Sequence, residues 1–274
     1  MKKKVLISLG IIVLIIAVFC AINLGKSPIS SKFVLASYGN EPQQFIAHRG
    51  FSSVYPENTI PAIEGAIENG FYGVEFDIHT TKDGVWILNH DSTIDKMTDG
   101  TGEIAEMTFD ELQEYTIDNG NGIENYESLK LPKFEDALKI IKESTIIPYI
   151  EIKGYDPVAF QNLIDLIDNY GFSDKAVIIS FDMEALLGIR EIDKDIKLMF
   201  ITNELTMDDV NTCLNNGNIG IDINGGLIFK MMKEVKFAKE NGLDCAAWTV
   251  DLPVFSDLMN AFGIKKITTN RIYP

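Results

Sequence analysis

Cysteine, histidine and positive charge are all scarce in this chain. Only three cysteines occur, Cys20, Cys213 and Cys245. A small secreted domain stapled by disulfides uses more, so no disulfide framework is expected. Cys213 and Cys245 sit in separate apolar contexts and read as buried free thiols. The 24 lysines and arginines are outnumbered by 40 acids, for a formal charge of −16. Four of those bases (Lys2, Lys3, Lys4, Lys26) and none of the acids fall in residues 1–31. The rest of the chain therefore carries 20 bases against 40 acids, a net of −20. Such a surface repels nucleic acid, which is set aside as a partner. It repels phosphates too, so any site for a phosphate ester needs local cations of its own. There is no internal repeat and no low-complexity tract, and nothing in the sequence specifies an oligomeric state.

One long uncharged run is present. Val5 to Gly25 holds no charged residue in 21 positions and is mostly Ile, Leu and Val. That length can cross a bilayer core as a helix. The three lysines before it favour a cytoplasmic N-terminus. Residues 1–25 are therefore expected to form a transmembrane signal-anchor, with the remainder extracytoplasmic at the cell membrane. A cleaved signal peptide competes, although the run is long and its small residues are poorly placed for cleavage. Cys20 raises a lipoprotein alternative, with Phe19 standing where a small residue is usual. Residues 26–43, rich in Ser, Pro, Gly and Asn, read as a stalk.

From residue 44 to 274 apolar runs alternate with helical patterns. Strands are expected at 45–47, 73–78, 146–152, 176–180, 197–201, 219–223, 244–248 and 264–268. Helices are expected at 59–69, 133–143, 157–170, 182–192, 207–216, 226–241 and 252–262. Eight strands alternating with helices predict an α/β fold, a TIM-type (β/α)8 barrel. One connection is too long and reads as a small insertion after the second strand, about 79–131, on the face where barrels do their chemistry. No eighth helix follows the last strand, so another segment must cover that seam, and the stalk is the candidate.

All three histidines, His48, His79 and His90, lie between Gln44 and Asp91. His48-Arg49-Gly50 ends the first strand. Pro56-Glu57-Asn58-Thr59 opens the first helix, with Thr59 as N-cap. Glu75 and Asp77, two apart on the second strand, share a face, as do Glu151 and Lys153 on the third. Three carboxylates at a barrel mouth repel one another and are costly to bury unpaired. A hard divalent cation with oxygen ligands, Mg²⁺ or Ca²⁺, resolves this; a salt-bridge network with Lys153 and Arg49 does so equally well on spacing alone. His48 and His90 are candidates for proton transfer near neutral pH. His79 reads as a rim hydrogen-bonding residue. Glu57 and Asn58 either support the site or cap the helix. Asp91 either orients an imidazole or caps a turn.

His-Arg-Gly, Pro-Glu-Asn-Thr, Glu-x-Asp, Thr-Lys-Asp-Gly-Val and His-Asp occur in that order, followed by Glu151-x-Lys153 and Trp248-Thr249. In this the chain resembles the glycerophosphodiester phosphodiesterase family from about Phe45 onward. The resemblance implies metal-dependent hydrolysis of a small glycerophosphodiester to an alcohol and glycerol 3-phosphate. It implies a divalent cation on Glu75, Asp77 and Glu151, with His48 and His90 as acid and base. It places Glu57 and Asn58 near the histidines. Arg49 and Lys153 read as the local cations a phosphoryl group requires, or as ion partners of the carboxylates. Trp248, ending the seventh strand at the catalytic face, reads equally as core or as a wall for the alcohol. Alternatives are lysophospholipase D-type hydrolysis of lysolipids at the membrane and a catalytically inactive surface binding protein. An inactive relative would usually have lost a histidine or a carboxylate, and all five stand here. Thr269-Asn270 departs from the family's frequent Thr-Asp, and the domain stops early.

Overall fold

A computed structural model describes residues 27–33 and 42–274. The expected membrane segment 1–25 and part of the stalk lie outside those residues. Among the described residues no helix is long and apolar enough to cross a membrane.

The barrel strands are β2 (Gln44–Ala47), β3 (Gly73–Thr80), β5 (Ile147–Gly154), β6 (Val177–Ser180), β7 (Lys197–Thr202), β8 (Gly220–Asn224), β9 (Cys245–Trp248) and β10 (Lys266–Thr269). All pair in parallel around the ring, and β10 returns to β2, which pairs with β3. The eight-stranded sheet is thus closed, as the alternation predicts, with bounds shifted by a residue or two. Helices α1 (Ile60–Glu68), α3 (Phe134–Lys142), α4 (Phe160–Asn169), α5 (Met183–Ile192), α6 (Met207–Asn215), α7 (Ile228–Glu240) and α8 (Pro253–Ala261) follow the strands. Short 3-10 turns lead into α4 and α7. Thr59 caps α1 as expected, its hydroxyl accepting from the Ala62 N–H at 3.3 Å.

Strand β3 shows how period two builds the site. All eight of its residues are buried. Val74, Phe76 and Ile78 join the large core between sheet and helices. Glu75, Asp77 and His79 consequently face the barrel interior. Below them the interior is filled by Ile46, Tyr149, Val177, Ile179, Met199, Ile201 and Ala246. The interior thus has an apolar floor beneath Glu75, Asp77 and His79.

The early part of β3 bonds β2; its late part bonds β4 (Trp86–Leu88) in an antiparallel hairpin, with Ile78 opposite Leu88. Gly84 takes φ +77° at the turn, a region closed to most side chains. The insertion beyond β4 has its own small core of Ile87, Ile94, Met97, Ile104, Leu112, Ile117 and Leu131. Within it α2 (Phe109–Leu112) starts at Thr108, whose capping box with Glu111 satisfies two end donors.

No helix follows β10 among the described residues. After Asn270 the chain forms β11 (Ile272–Tyr273), parallel to β1 (Ile29–Ser30) from the stalk. Ile272 is fully buried, and the Tyr273 ring lies 5.9 Å from that of Phe51. Two residues of the stalk thus pair with the segment that follows the last barrel strand.

A charge that sequence reading passed over lies inside the barrel. Asp222 on β8 is 2 % exposed, and its Oδ1 has no hydrogen-bond partner among the described residues. Burial, then Glu151 and Asp244, push its carboxyl well above the ordinary range. An acid with a raised folded-state value stabilises the fold least above that value, where the unfolded chain ionises freely and the folded one must bury a charge. Asp222→Asn should therefore raise the melting temperature at pH 7–8 and flatten its decline with rising pH. About 2–4 °C is expected per kcal/mol recovered in a domain of this size. A lowered melting temperature at pH 8 would show that the ionised group is needed.

Candidate active site

The His48-Arg49-Gly50 turn begins the site. Arg49 and Gly50 have φ of 57° and 76°. A Cβ on Gly50 would come within 2.5 Å of the Ala62 Cβ, so only glycine lets the turn settle against α1. The turn aims two backbone donors at Glu75. Arg49 N–H reaches its Oε2 at 2.8 Å, and Gly50 N–H reaches its carbonyl at 3.0 Å. Left-handed backbone at a non-glycine residue is a local strain that concentrates at functional sites. Asn58 (φ 56°) shows it as well.

Asn58 and Glu57 do not cap the helix. The Asn58 amide donates to Asp77 Oδ2 at 2.8 Å, while its carbonyl accepts from the Asp77 N–H at 3.0 Å. Glu57 bonds Arg49 Nη1 at 3.1 Å and Lys96 Nζ at 2.8 Å. Both residues thus position the chemistry from behind.

Glu75, Asp77 and Glu151 each offer an oxygen within 4.8 Å of the others, and all three are buried. The strand register makes this inevitable, because Asp77 sits opposite Glu151 and Glu75 opposite Tyr149. Lys153 Nζ lies 2.6 Å from Glu151 Oε1 and 3.5 Å from Asp77 Oδ1, and Arg49 Nε lies 3.4 Å from Asp77 Oδ2. The salt-bridge network is therefore real, but it is incomplete. Glu75 Oε1 and Asp77 Oδ1 are buried without a hydrogen bond among the described residues, and Glu151 Oε1 is met by the Lys153 ammonium. Burial, then Asp77 and Glu151, push Glu75 well above the ordinary carboxylate range. Burial and Asp77 raise Glu151 to about 7, with Lys153 opposing. For Asp77 burial also acts upward, but Lys153, Arg49 and His90 outweigh it and hold the group low. The two cations thus serve Asp77 best and leave Glu75 underserved. Orphaned oxygens, all hard and convergent, fit a divalent metal.

The two candidate catalytic imidazoles are each tied through Nδ1. His48 Nδ1 lies 2.7 Å from Asn270 Oδ1. The Asn270 amide donates to Asp251 Oδ2 at 2.8 Å, and its backbone N–H donates to Oδ1 at 2.7 Å. With the Asn270 oxygen so assigned, His48 Nδ1 carries the hydrogen and Nε2 is the free base, 3.9 Å from Glu75 Oε2. Burial, then Arg49, lower the His48 value, favouring the neutral ring. His90 Nδ1 meets Asp91 Oδ1 at 2.6 Å, so Asp91 orients an imidazole. His79 is buried and bonds the His90 carbonyl through Nε2 at 3.1 Å, holding the loop that carries His90. Asp251 was not singled out from sequence, and Asn270 was noted only as a departure. Their proximity to His48 in the fold, at more than 200 residues' separation, leaves no local signal. Trp248 lies edge-on to Phe181, ring centres 5.2 Å apart, and Lys153 Nζ sits 5.5 Å from the Phe181 ring centre. Phe181 is thus a second aromatic at the mouth that sequence reading missed.

A closed parallel barrel with two imidazoles, three carboxylates and two cations gathered at the carboxyl ends of its strands defines a hydrolase built for an anionic substrate. The profile of the Glycerophosphoryl diester phosphodiesterase family matches residues 48–273. The chain belongs to that family, and is a phosphoric diester hydrolase like its relatives. It is 28% identical over 229 residues to a glycerophosphodiester phosphodiesterase of Caldanaerobacter subterraneus subsp. tengcongensis, covering 82% of this chain and 93% of that one. It is 33% identical over 153 residues to human glycerophosphodiester phosphodiesterase 1, covering 55% of this chain and 46% of that one. A glycerophosphodiester phosphodiesterase structure from Parabacteroides distasonis superposes with TM-score 0.73 at 28% identity, covering 85% of this chain and 94% of that one. An Oleispira antarctica phosphodiesterase, solved with its product sn-glycerol-3-phosphate, shares the fold with TM-score 0.76 at 20% identity, covering 88% and 96%.

The raised carboxyls make metal binding a proton-linked event. A ligand must be deprotonated to coordinate, so each proton held on Glu151 or Glu75 is released when the metal enters. Affinity for Mg²⁺ or Ca²⁺ should fall as pH drops through about 7 for Glu151, by up to about tenfold per pH unit for each proton released. Calorimetry in two buffers of different ionisation enthalpy should register that release. Equal affinity at pH 5.5 and 8 would be incompatible with this electrostatic reading.

Proposed function

We propose that the chain is a metal-dependent glycerophosphodiesterase using His48 as general base and His90 as general acid, held at the outer face of the cell membrane by residues 1–25. The observation that carries the histidine assignment is the contrast between their Nδ1 partners. His48 faces a neutral amide, Asn270, and burial keeps the ring neutral with Nε2 free to accept. His90 Nδ1 is held instead by the Asp91 carboxylate, which fixes the ring and leaves Nε2 to hand a proton to the leaving alcohol.

The reaction has two balanced steps. The substrate's 2-hydroxyl oxygen bonds to phosphorus, and its proton passes to His48 Nε2. The ester bond to the leaving alcohol breaks, and that oxygen takes a proton from His90 Nε2. Water then opens the cyclic phosphodiester, with the two rings exchanging roles. Arg49 and Lys153 lie where phosphoryl oxygens would gain charge, and a guanidinium can grip two of them. Trp248 and Phe181 form the wall for the alcohol. A divalent cation on Glu75, Asp77 and Glu151, Mg²⁺ or Ca²⁺, would supply Lewis acidity to the phosphoryl oxygen.

Release of glycerol 3-phosphate should be measured across glycerophosphodiesters and lysolipids, with and without chelator. Chelator should abolish it, and Glu151→Gln should weaken metal binding without unfolding the barrel. Unchanged turnover in excess chelator would refute the metal. His48→Ala and His90→Ala should each lose about 10²–10⁴-fold, with the double variant little worse than the weaker single. With a nitrophenolate leaving group, the His90 variant should recover much of its rate and the His48 variant should not. The reverse pattern would exchange the two roles.

A further inference from the structure

The stalk does not enter the barrel from below. Ser27 lies beside the catalytic mouth: Arg271 Nε donates to its carbonyl at 3.1 Å, and the Ile29 N–H donates to the Arg271 carbonyl at 2.6 Å. Arg271 follows Asn270, which holds His48. β1 pairs with β11, and β2 begins at the opposite end of the ring. The uncharged run Val5 to Gly25 ends two residues before Ser27. Two extended residues reach at most about 7 Å.

A second, independent feature lies on the same face. Loops and helix starts beyond the carboxyl ends of β5, β6 and β9 carry Val158, Phe181, Val254 and Phe255, exposed by 86, 41, 67 and 48 %. They are four of the seven large apolar side chains exposed among the described residues. Apolar side chains gathered at one rim mark a contact surface rather than ordinary exposure.

We propose that the catalytic mouth faces the lipid bilayer, with Val158, Val254 and Phe255 seated in the interfacial region and Phe181 leading inward to the site. This rests on Val5 to Gly25 spanning the membrane. A span that ends within two residues of the mouth leaves no length for the barrel to turn away. The occupant of the rim is lipid rather than a nucleic acid or a basic protein surface, because the contact is apolar. With a net of −20 outside residues 1–31, the docking is not electrostatic and should persist at high salt. Tethering makes even a small apolar rim effective, since it acts at high local concentration. The substrate class that follows is an ester whose glycerophosphoryl head is presented at the bilayer surface, a lysophospholipid, with its chain still in lipid.

The test uses the full chain in phosphatidylcholine nanodiscs holding one copy each, which removes a second copy as occupant. A nitroxide is attached at Phe255→Cys, and separately at Asp195→Cys, in the turn before β7 at the opposite end of the barrel. Cys20 is replaced by Ser; Cys213 and Cys245 are buried, with thiols pushed up to about 12, and do not compete. Retained hydrolysis of glycerophosphocholine shows that each labelled chain is folded. At 255 the label should collide several-fold more with oxygen, relative to an aqueous nickel chelate, than at 195, and this should survive 1 M salt (Debye length about 3 Å). Val254→Ser with Phe255→Ser should slow hydrolysis of lysophosphatidylcholine in the disc several-fold while leaving glycerophosphocholine turnover unchanged. Chains that fail to enter discs would overturn the anchor and the orientation together. Chains that enter discs but show equal, aqueous collision at both labels would overturn the orientation alone.

Discussion

Three carboxylates are buried within a few ångströms of one another at the top of this barrel, and most of what surrounds them exists to hold that charge. Burying like charges together is among the costliest things a fold can do, because each ion loses hydration and gains repulsion. Asn58 clamps Asp77 through both side chain and backbone. The left-handed Arg49-Gly50 turn brings the Arg49 N–H to the Glu75 carboxylate and the Gly50 N–H to its backbone carbonyl. Lys153 bridges Asp77 and Glu151. Even so, one oxygen of Glu75 and one of Asp77 stay without a hydrogen bond among the described residues. The unfilled requirement is cationic, and it sits where a phosphodiester would meet two imidazoles.

The two candidate imidazoles are held through Nδ1 by different partners. His48 is backed by an amide whose orientation is locked by Asp251, one step further out. The negative charge is thus kept at a distance, and the ring stays neutral. His90 has its carboxylate in direct contact. A substitution that looks like a loss of function on paper, Asn270 where the family often has aspartate, is accompanied by an acid beside it.

The Asn270 segment also joins catalysis to the architecture of the seam. The chain passes from His48's partner directly into Arg271 and the β1–β11 ribbon. Pairing of β1 with β11 ties residues 27–30 to the segment that follows Asn270. Ser27 is thereby held beside Arg271 and not at the base of the ring.

Local pattern was enough for the strands, the helices, the inward direction of Glu75, Asp77, Glu151 and Lys153, and the capping of α1 by Thr59, because period two, period 3.6 and N-cap chemistry are properties of neighbouring residues. The short motifs carried the histidines and the arginine for the same reason: a turn such as His48-Arg49-Gly50 is contiguous. The tertiary structure alone decided which of two equal readings applied to Glu57 and Asn58, since caps and charge clamps use the same atoms. It alone brought Asp251 and Asn270 behind His48, Phe181 beside Trp248, and Asp222 into the apolar interior. Those placements depend on ring closure, which puts strands far apart in sequence side by side and converts ordinary surface residue types into buried, unpaired or reoriented groups. Sequence spacing cannot register that, because the energy of a buried carboxylate is set by neighbours across the barrel and not along the chain.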